Sequence, residues 1–311
     1  MKAARDYKSL LLAAVTLAVF VVAIWVLHHS LAKLRLADVL ASVQAEPWTR
    51  VAACAFFSAC SYGMLTFYDY LAVRGVRHPL PWRRTALTSF IAFAIGHSAG
   101  LSMLSGGSVR YRGYTREGLS AFEIAGVVGL ISVTFTLGIG TLLGLSLVLE
   151  SHQAARILHL DHGWEARVLG GAVFILILGY LWLTQRIKKP LRIREREFRL
   201  PSFSISLRQI IVASIDLCFC AASLYVLLPD SIPLHFFSFV GLYVLALQSG
   251  VISNVPGGVG VFESVLIQLL PGSGPDTLAP LVSAVLLYRF IYYFIPLVLG
   301  VGLLAGREAM R

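Results

Sequence analysis

A small set of ionisable residues sits within or beside apolar runs of this chain: Asp69, His97, Arg110, Arg112, Asp216, Glu263 and Arg289. Charges in hydrocarbon are costly, so each of these needs a partner, a water-filled path or a ligand. Arg110 and Arg112 follow Gly106-Gly107 in HSAGLSMLSGGSVRYRGY, residues 97–114. If the two glycines turn a hairpin, the guanidinium groups lie between its tip and the cytoplasmic surface. A phosphodiester matches the guanidinium fork, and a helix N-terminus beside it would add amide donors. The competing reading is a pair of arginines that snorkel to the surface and set topology.

The remaining charges divide between structural and functional roles. Asp216 lies near the middle of an apolar run at 206–228 and Arg289 near the middle of one at 278–304, so they are natural charge partners. Asp69 is five residues from Arg74 and suits a surface position equally well. Glu263 follows PGGVGVF and reads either as a proton-coupled or amine-binding carboxylate or as a cap for a short helix. His97 is expected to be packed and hydrogen-bonded, with a proton relay as the alternative. His152, His159 and His162, with Asp161, match no zinc spacing, and no P-loop, HExxH or GxSxG occurs. Neither metal nor cofactor is expected. Cys54, Cys60, Cys218 and Cys220 read as small apolar packing residues.

The elements that must position these groups are membrane helices. The 311 residues are 57% hydrophobic and only 14% charged, far from the composition of a soluble domain. The net charge of +10 follows topology rather than nucleic acid, because Lys and Arg cluster at 2–8, 74–84, 110–116, 186–208 and 307–311. Alternate loops are nearly free of them, which places both termini in the cytoplasm. About six stretches are long enough to span: 10–28, 50–72, 121–149, 166–186, 206–228 and 278–304. Residues 31–43 read as an amphipathic surface helix, and 187–205 as a basic cytoplasmic loop, solvated more readily than structured.

Two further apolar segments, 85–104 and 234–253, conflict with the charge rule if they cross, so re-entrant hairpins are expected there. Their tips are expected at Gly106-Gly107 and at Pro256-Gly257-Gly258. Laid over each other, 97–111 and 248–262 match Ser98 to Ser249, Ser102 to Ser253, both glycine pairs, and Tyr111 to Phe262. The offset is close to half the chain and superposes the flanking helices too. The expectation is an all-α, single membrane domain over 1–311, built as an inverted repeat of 1–150 and 160–311, the architecture of alternating access.

Three motifs in order, SGGSVRYRGYTREGLS (105–120), SNVPGGVGVFE (253–263) and LLYRFIYYFIPL (286–297), with ASIDLCFCAASLYVLLP (213–229), resemble the lysylphosphatidylglycerol synthetase transmembrane-region or flippase-like family. This is the membrane half of the multiple-peptide-resistance bifunctional proteins, found also as standalone chains of the bacterial inner membrane. The resemblance implies a lipid flippase that moves an anionic or aminoacylated phospholipid between leaflets. It implies a phospholipid headgroup as ligand, an aminoacyl-transferase as partner or neighbour, and a homo-oligomer as one possible assembly. No segment resembles the acyltransferase domain, so the chain is expected not to be an enzyme. The alternatives are an intramembrane enzyme that modifies a headgroup, or a carrier of an isoprenoid or hopanoid-type lipid.

Overall fold

The computed structural model describes residues 36–99, 102–158, 160–187, 191–193, 196–198, 200–271 and 275–309. The span expected at 10–28 lies outside them. The described chain is built of helices: α1 (Leu36–Ala45), α2 (Trp48–Gly75), α3 (Trp82–Ala99), α4 (Ser102–Thr115), α5 (Ala121–Leu149), α6 (Ser151–Ile157), α7 (Gly163–Arg186), α8 (Phe203–Tyr225), α9 (Phe236–Ser253), α10 (Val261–Leu269), α11 (Pro275–Arg289) and α12 (Ile295–Ala309). Among the described residues, six helical stretches are long and apolar enough to cross a bilayer: α2, α5, α7, α8, α9 and the continuous 277–307 stretch of α11 and α12. The chain is an all-α multi-pass membrane protein. The loop at 187–205 is the exception, since Leu191–Ile193 (β1) and Arg196–Phe198 (β2) pair antiparallel, with Arg192 opposite Glu197. The alternation in IREREF favours that ladder over the solvated linker expected there.

Helix boundaries follow local chemistry. The Ser120 hydroxyl accepts from the Glu123 amide, while Glu123 Oε2 accepts from the Ser120 amide at 2.8 Å, a reciprocal cap that starts α5. The Ser202 hydroxyl accepts from the Ile205 amide and caps α8 without a return bond. Between α11 and α12 the helix widens into a π turn at Phe290–Phe294. Pro296 has no amide to close an α-helical turn on the Tyr292 carbonyl, and the Tyr62 hydroxyl donates to that carbonyl instead, at 3.3 Å.

Close helix contacts rest on small side chains, as expected where lipid supplies no hydrophobic drive for association. At Gly138 of α5 an added Cβ would stand 2.5 Å from the Ala213 Cβ of α8, so only glycine lets these two helices approach. The core lies where α2 and α8 run against each other, closed by α5, α9 and the π turn. Its fully buried large side chains are tyrosines as well as aliphatics: Tyr68, Tyr114, Tyr243 and Tyr288.

Two helical hairpins interrupt the long helices. In the first, α3 and α4 fold back on each other, with Gly106 against the Ala92 carbonyl and Gly113 against Thr88. The first arm ends at Ala99 and the second begins at Ser102, so Gly106-Gly107 lie inside α4. Their placement at the tip is therefore corrected. The glycine pair serves close packing: a Cβ at Gly106 would lie 3.0 Å from the Ala92 oxygen. In the second hairpin, α9 and α10 reverse through Asn254 and a 3-10 turn at Pro256–Gly258. Asn254, Gly257, Gly258 and Gly260 all have positive φ there, the left-handed geometry that glycine tolerates best.

Candidate functional site

The first hairpin is tied to α2 by a buried ion pair. Arg110 Nε and Nη2 donate to Asp69 Oδ1 and Oδ2 at 2.9 and 2.8 Å, and the Tyr114 hydroxyl adds a third bond to Oδ1 at 2.6 Å. The guanidinium lies 4.5 Å from the Phe93 ring centroid, which stacks its face while the fork is engaged. Asp69 is fully buried, not a surface residue, because α4 lies over it. Arg110 is spent on that carboxylate, so the expectation that it meets a lipid phosphate is corrected too.

Arg112, two residues on, faces elsewhere. It is exposed, and with Arg116 of the segment after α4 and Arg307 of α12 it lines a crevice that also includes Thr88.

The second hairpin is held by Arg289 rather than by a contact with Asp216. Arg289 Nε donates to Glu263 Oε1 at 2.6 Å, while Nη1 and Nη2 reach the carbonyls of Gly257 and Gly258 at the hairpin tip. Glu263 Oε2 meanwhile accepts the Gly260 amide at 2.8 Å and caps α10. The expected Asp216–Arg289 pair is thus replaced by Glu263–Arg289, since the tip's freed carbonyls and the capping carboxylate surround the guanidinium together. Phe262 and Tyr293 flank the same guanidinium at 5.3 and 4.8 Å.

Asp216 sits in a different setting. It is 2% exposed, and its carboxyl accepts from Ser61 Oγ at 2.6 Å and from the Tyr68 hydroxyl at 3.0 Å. Ser61 Oγ also lies 2.8 Å from the Tyr292 hydroxyl and 3.1 Å from Cys220 Sγ, and the last two are 2.9 Å apart. Nearby, the Tyr243 and Tyr288 hydroxyls bond each other at 2.6 Å. Among the described residues no Lys, Arg or His makes an ion pair with Asp216.

The two hairpins meet at His97. Its backbone oxygen is 3.6 Å from the Cβ position of Gly257, and its ring lies among Tyr62, Phe93, Tyr292 and Tyr293. It is packed as expected but not hydrogen-bonded through Nδ1, which has no partner among the described residues; Ser98 Oγ and Gln248 Oε1 are alike in this. Broken backbone ends, two ion pairs and unpartnered polar atoms therefore converge at one junction inside the bundle.

The tyrosines escaped the sequence reading. LLYRFIYYFIPL offers Arg289 as a charged candidate besides its family likeness, yet Tyr288, Tyr292 and Tyr293 in it, with Tyr62 and Tyr68 in an earlier apolar run, are hydroxyls that must find partners in a membrane core. That requirement was the available signal.

Comparison with known proteins adds the lineage. The model for the lysylphosphatidylglycerol synthase TM region matches residues 12–300. An uncharacterized protein of Synechocystis sp. is 36% identical over 92% of this chain and 88% of its own length. The inner membrane protein YbhN of Escherichia coli is 32% identical over 77% of this chain and 74% of its own. A phosphatidylglycerol lysyltransferase of Staphylococcus aureus is 25% identical over 91% of this chain, which corresponds to 32% of that longer protein.

Proposed function

The chain belongs to the lysylphosphatidylglycerol synthase transmembrane-region family, and from that premise we propose that it is a lipid transporter, moving an anionic or aminoacylated phospholipid between the leaflets of a bacterial inner membrane. The observation that carries this reading is the junction of the two hairpins. A broken turn with its carbonyls turned toward Arg289 abuts the end of α3 within the membrane bundle. Discontinuous backbone of this kind is tolerated where it lines a path or a site, and it recurs at the binding centres of transporters.

In this reading the hairpins are re-entrant, and 1–150 and 160–311 form an inverted repeat with both termini cytoplasmic. Arg112, Arg116 and Arg307 receive the phosphate at the cytoplasmic entrance, where anionic headgroups are drawn to basic surfaces. Arg110 and Arg289 hold the hairpin arms in register, each through its carboxylate, while the acyl tails remain in lipid. The chain moves the lipid without modifying it, and aminoacyl transfer belongs to another domain or protein.

The test is reconstitution of the purified chain in vesicles containing lysylphosphatidylglycerol, with an impermeant amine reagent reporting the outer-leaflet fraction. Time-dependent exposure above that of empty vesicles, lowered by Arg112→Ala, is the expected result. Exposure equal to empty vesicles refutes the proposal, and a chemically new lipid in the extract would point to a headgroup-modifying enzyme instead.

A further inference from the structure

We propose that Asp216 is an exchangeable proton site, the one carboxyl in the described membrane core that carries a proton rather than a fixed counter-charge. The sequence pointed to Glu263 for such a role, but Glu263 is occupied by Arg289 and by the α10 cap. Asp69 is likewise closed by Arg110 and Tyr114. Asp216 is as deeply buried, and its partners among the described residues are hydroxyl and thiol groups alone. With 2% exposure its carboxyl has no opening for an ammonium or a metal ion, which leaves the proton as the cation that fits. A lone ionised carboxylate in such a place is costly.

The surrounding hydrogen bonds are built to accept either state. With Asp216 ionised, Ser61 donates to Oδ1, Tyr292 donates to Ser61, and Cys220 can donate to Tyr292. Adding one proton to Oδ1 makes the carboxyl the donor to Ser61 Oγ. Ser61 then donates to the Tyr292 oxygen, and the Tyr292 proton turns to Cys220 Sγ. Each bond of this chain keeps its two heavy atoms and reverses its direction, while Tyr68 goes on donating to Oδ2, so no heavy atom has to move and no covalent bond beyond O–H is made or broken.

Around this carboxyl stand groups from each neighbouring element: Ser61, Tyr62 and Tyr68 on α2, Cys218 and Cys220 on α8, Tyr243 on α9 and Tyr292 of the π turn; Tyr288 of α11 bonds Tyr243, and Tyr293 and His97 of α3 pack on Tyr292. Among the described residues, the formal charges that hold the two hairpins are themselves paired, Arg110 with Asp69 and Arg289 with Glu263. Tyr292 lies in the turn that begins just after Arg289, the residue holding the second hairpin tip, so the hydrogen-bond chain from Asp216 through Ser61 reaches a point three residues from the arginine it would bias. That coupling rests on the transport reading above; the proton site does not.

The experiment is infrared difference spectroscopy of the purified full chain in lipid nanodiscs, stepped in pH in light and heavy water. The expected result is a protonated-carboxyl stretch that moves to lower frequency in heavy water and vanishes in Asp216→Asn, but persists in Asp69→Asn and Glu263→Gln. Ser61→Ala and Tyr68→Phe, each deleting one hydrogen bond to the carboxyl, shift the band to higher frequency. These two variants decide the matter if Asp216→Asn does not fold. No protonated-carboxyl band at any pH, a band surviving Asp216→Asn, or one that neither Ser61→Ala nor Tyr68→Phe moves would overturn the proposal. The measurement needs no cargo lipid, so failure of the transport reading leaves its outcome unaffected.

Discussion

Breaking the Asp69–Arg110 pair one side at a time should be far more damaging than removing both charges. Arg110→Met takes two charge-assisted hydrogen bonds, at 2.9 and 2.8 Å, from a fully buried carboxylate and leaves it, among the described residues, the Tyr114 hydroxyl. Hydrogen bonds to charged groups contribute about 1.5–3 kcal/mol each. Orphaning one member of a buried pair costs about 3–5 kcal/mol, and the two figures agree. Asp69→Asn strands the guanidinium over Phe93 at comparable cost. The double variant removes both charges while an amide at position 69 still accepts from Tyr114, so its cost should fall to about 1–2 kcal/mol. Equilibrium unfolding in mixed micelles measures all four corners of the cycle. The exposed pair between Arg50 and Asp230 serves as a control, worth about 0–1 kcal/mol because Asp230 is almost fully in solvent. Single variants within about 1 kcal/mol of wild type, or a double variant equal to the sum of the singles, would refute the assignment of a desolvated, mutually dependent pair.

Further outcomes follow from the same geometry. Gly107→Ala should be neutral or stabilising by up to about 1 kcal/mol, since the site is interior helix with only Val128 nearby at 4.0 Å; clear destabilisation on thermal unfolding would restore Gly107 to a turn. Gly258→Ala should cost about 1–2 kcal/mol or more, because φ is positive and the Cβ would lie 3.1 Å from the Gly250 Cα; an unchanged unfolding midpoint contradicts the tight reversal. Arg289→Lys should keep the charge yet lower lipid translocation, as an ammonium cannot reach Glu263 and both tip carbonyls with a planar fork; wild-type vesicle transport would show that the fork is dispensable.

Much of the architecture was legible because hydropathy and length act locally. Five of the expected spans coincide with helices that are long and apolar enough, and the reversal near Pro256 was marked by residues that favour left-handed backbone. The glycine pair at 106–107 misled because, in membranes, glycine signals close packing as often as a break. Here the Ala92 carbonyl presses on Gly106, a contact set by how α3 and α4 fold together and invisible in either segment alone. The charge pairs failed for a similar reason. Asp216 and Arg289 are both near mid-helix, but which acid an arginine meets depends on the rotation of each helix about its axis. Glu263 reaches Arg289 because the hairpin returns α10 to that depth. Asp69 looked superficial because only its own helix was in view, not the α4 helix that covers it.

Lipid passage between leaflets at the hairpin junction is the proposal on which the transport predictions depend. The most direct measurement is the rate at which lysylphosphatidylglycerol placed in the inner leaflet of vesicles becomes reactive to an impermeant amine reagent outside. With the purified protein the rate should exceed that of protein-free vesicles severalfold, and it should drop toward their level in Arg289→Lys while the protein remains folded. A rate equal to that of protein-free vesicles, from protein shown to be folded and inserted, would contradict the account.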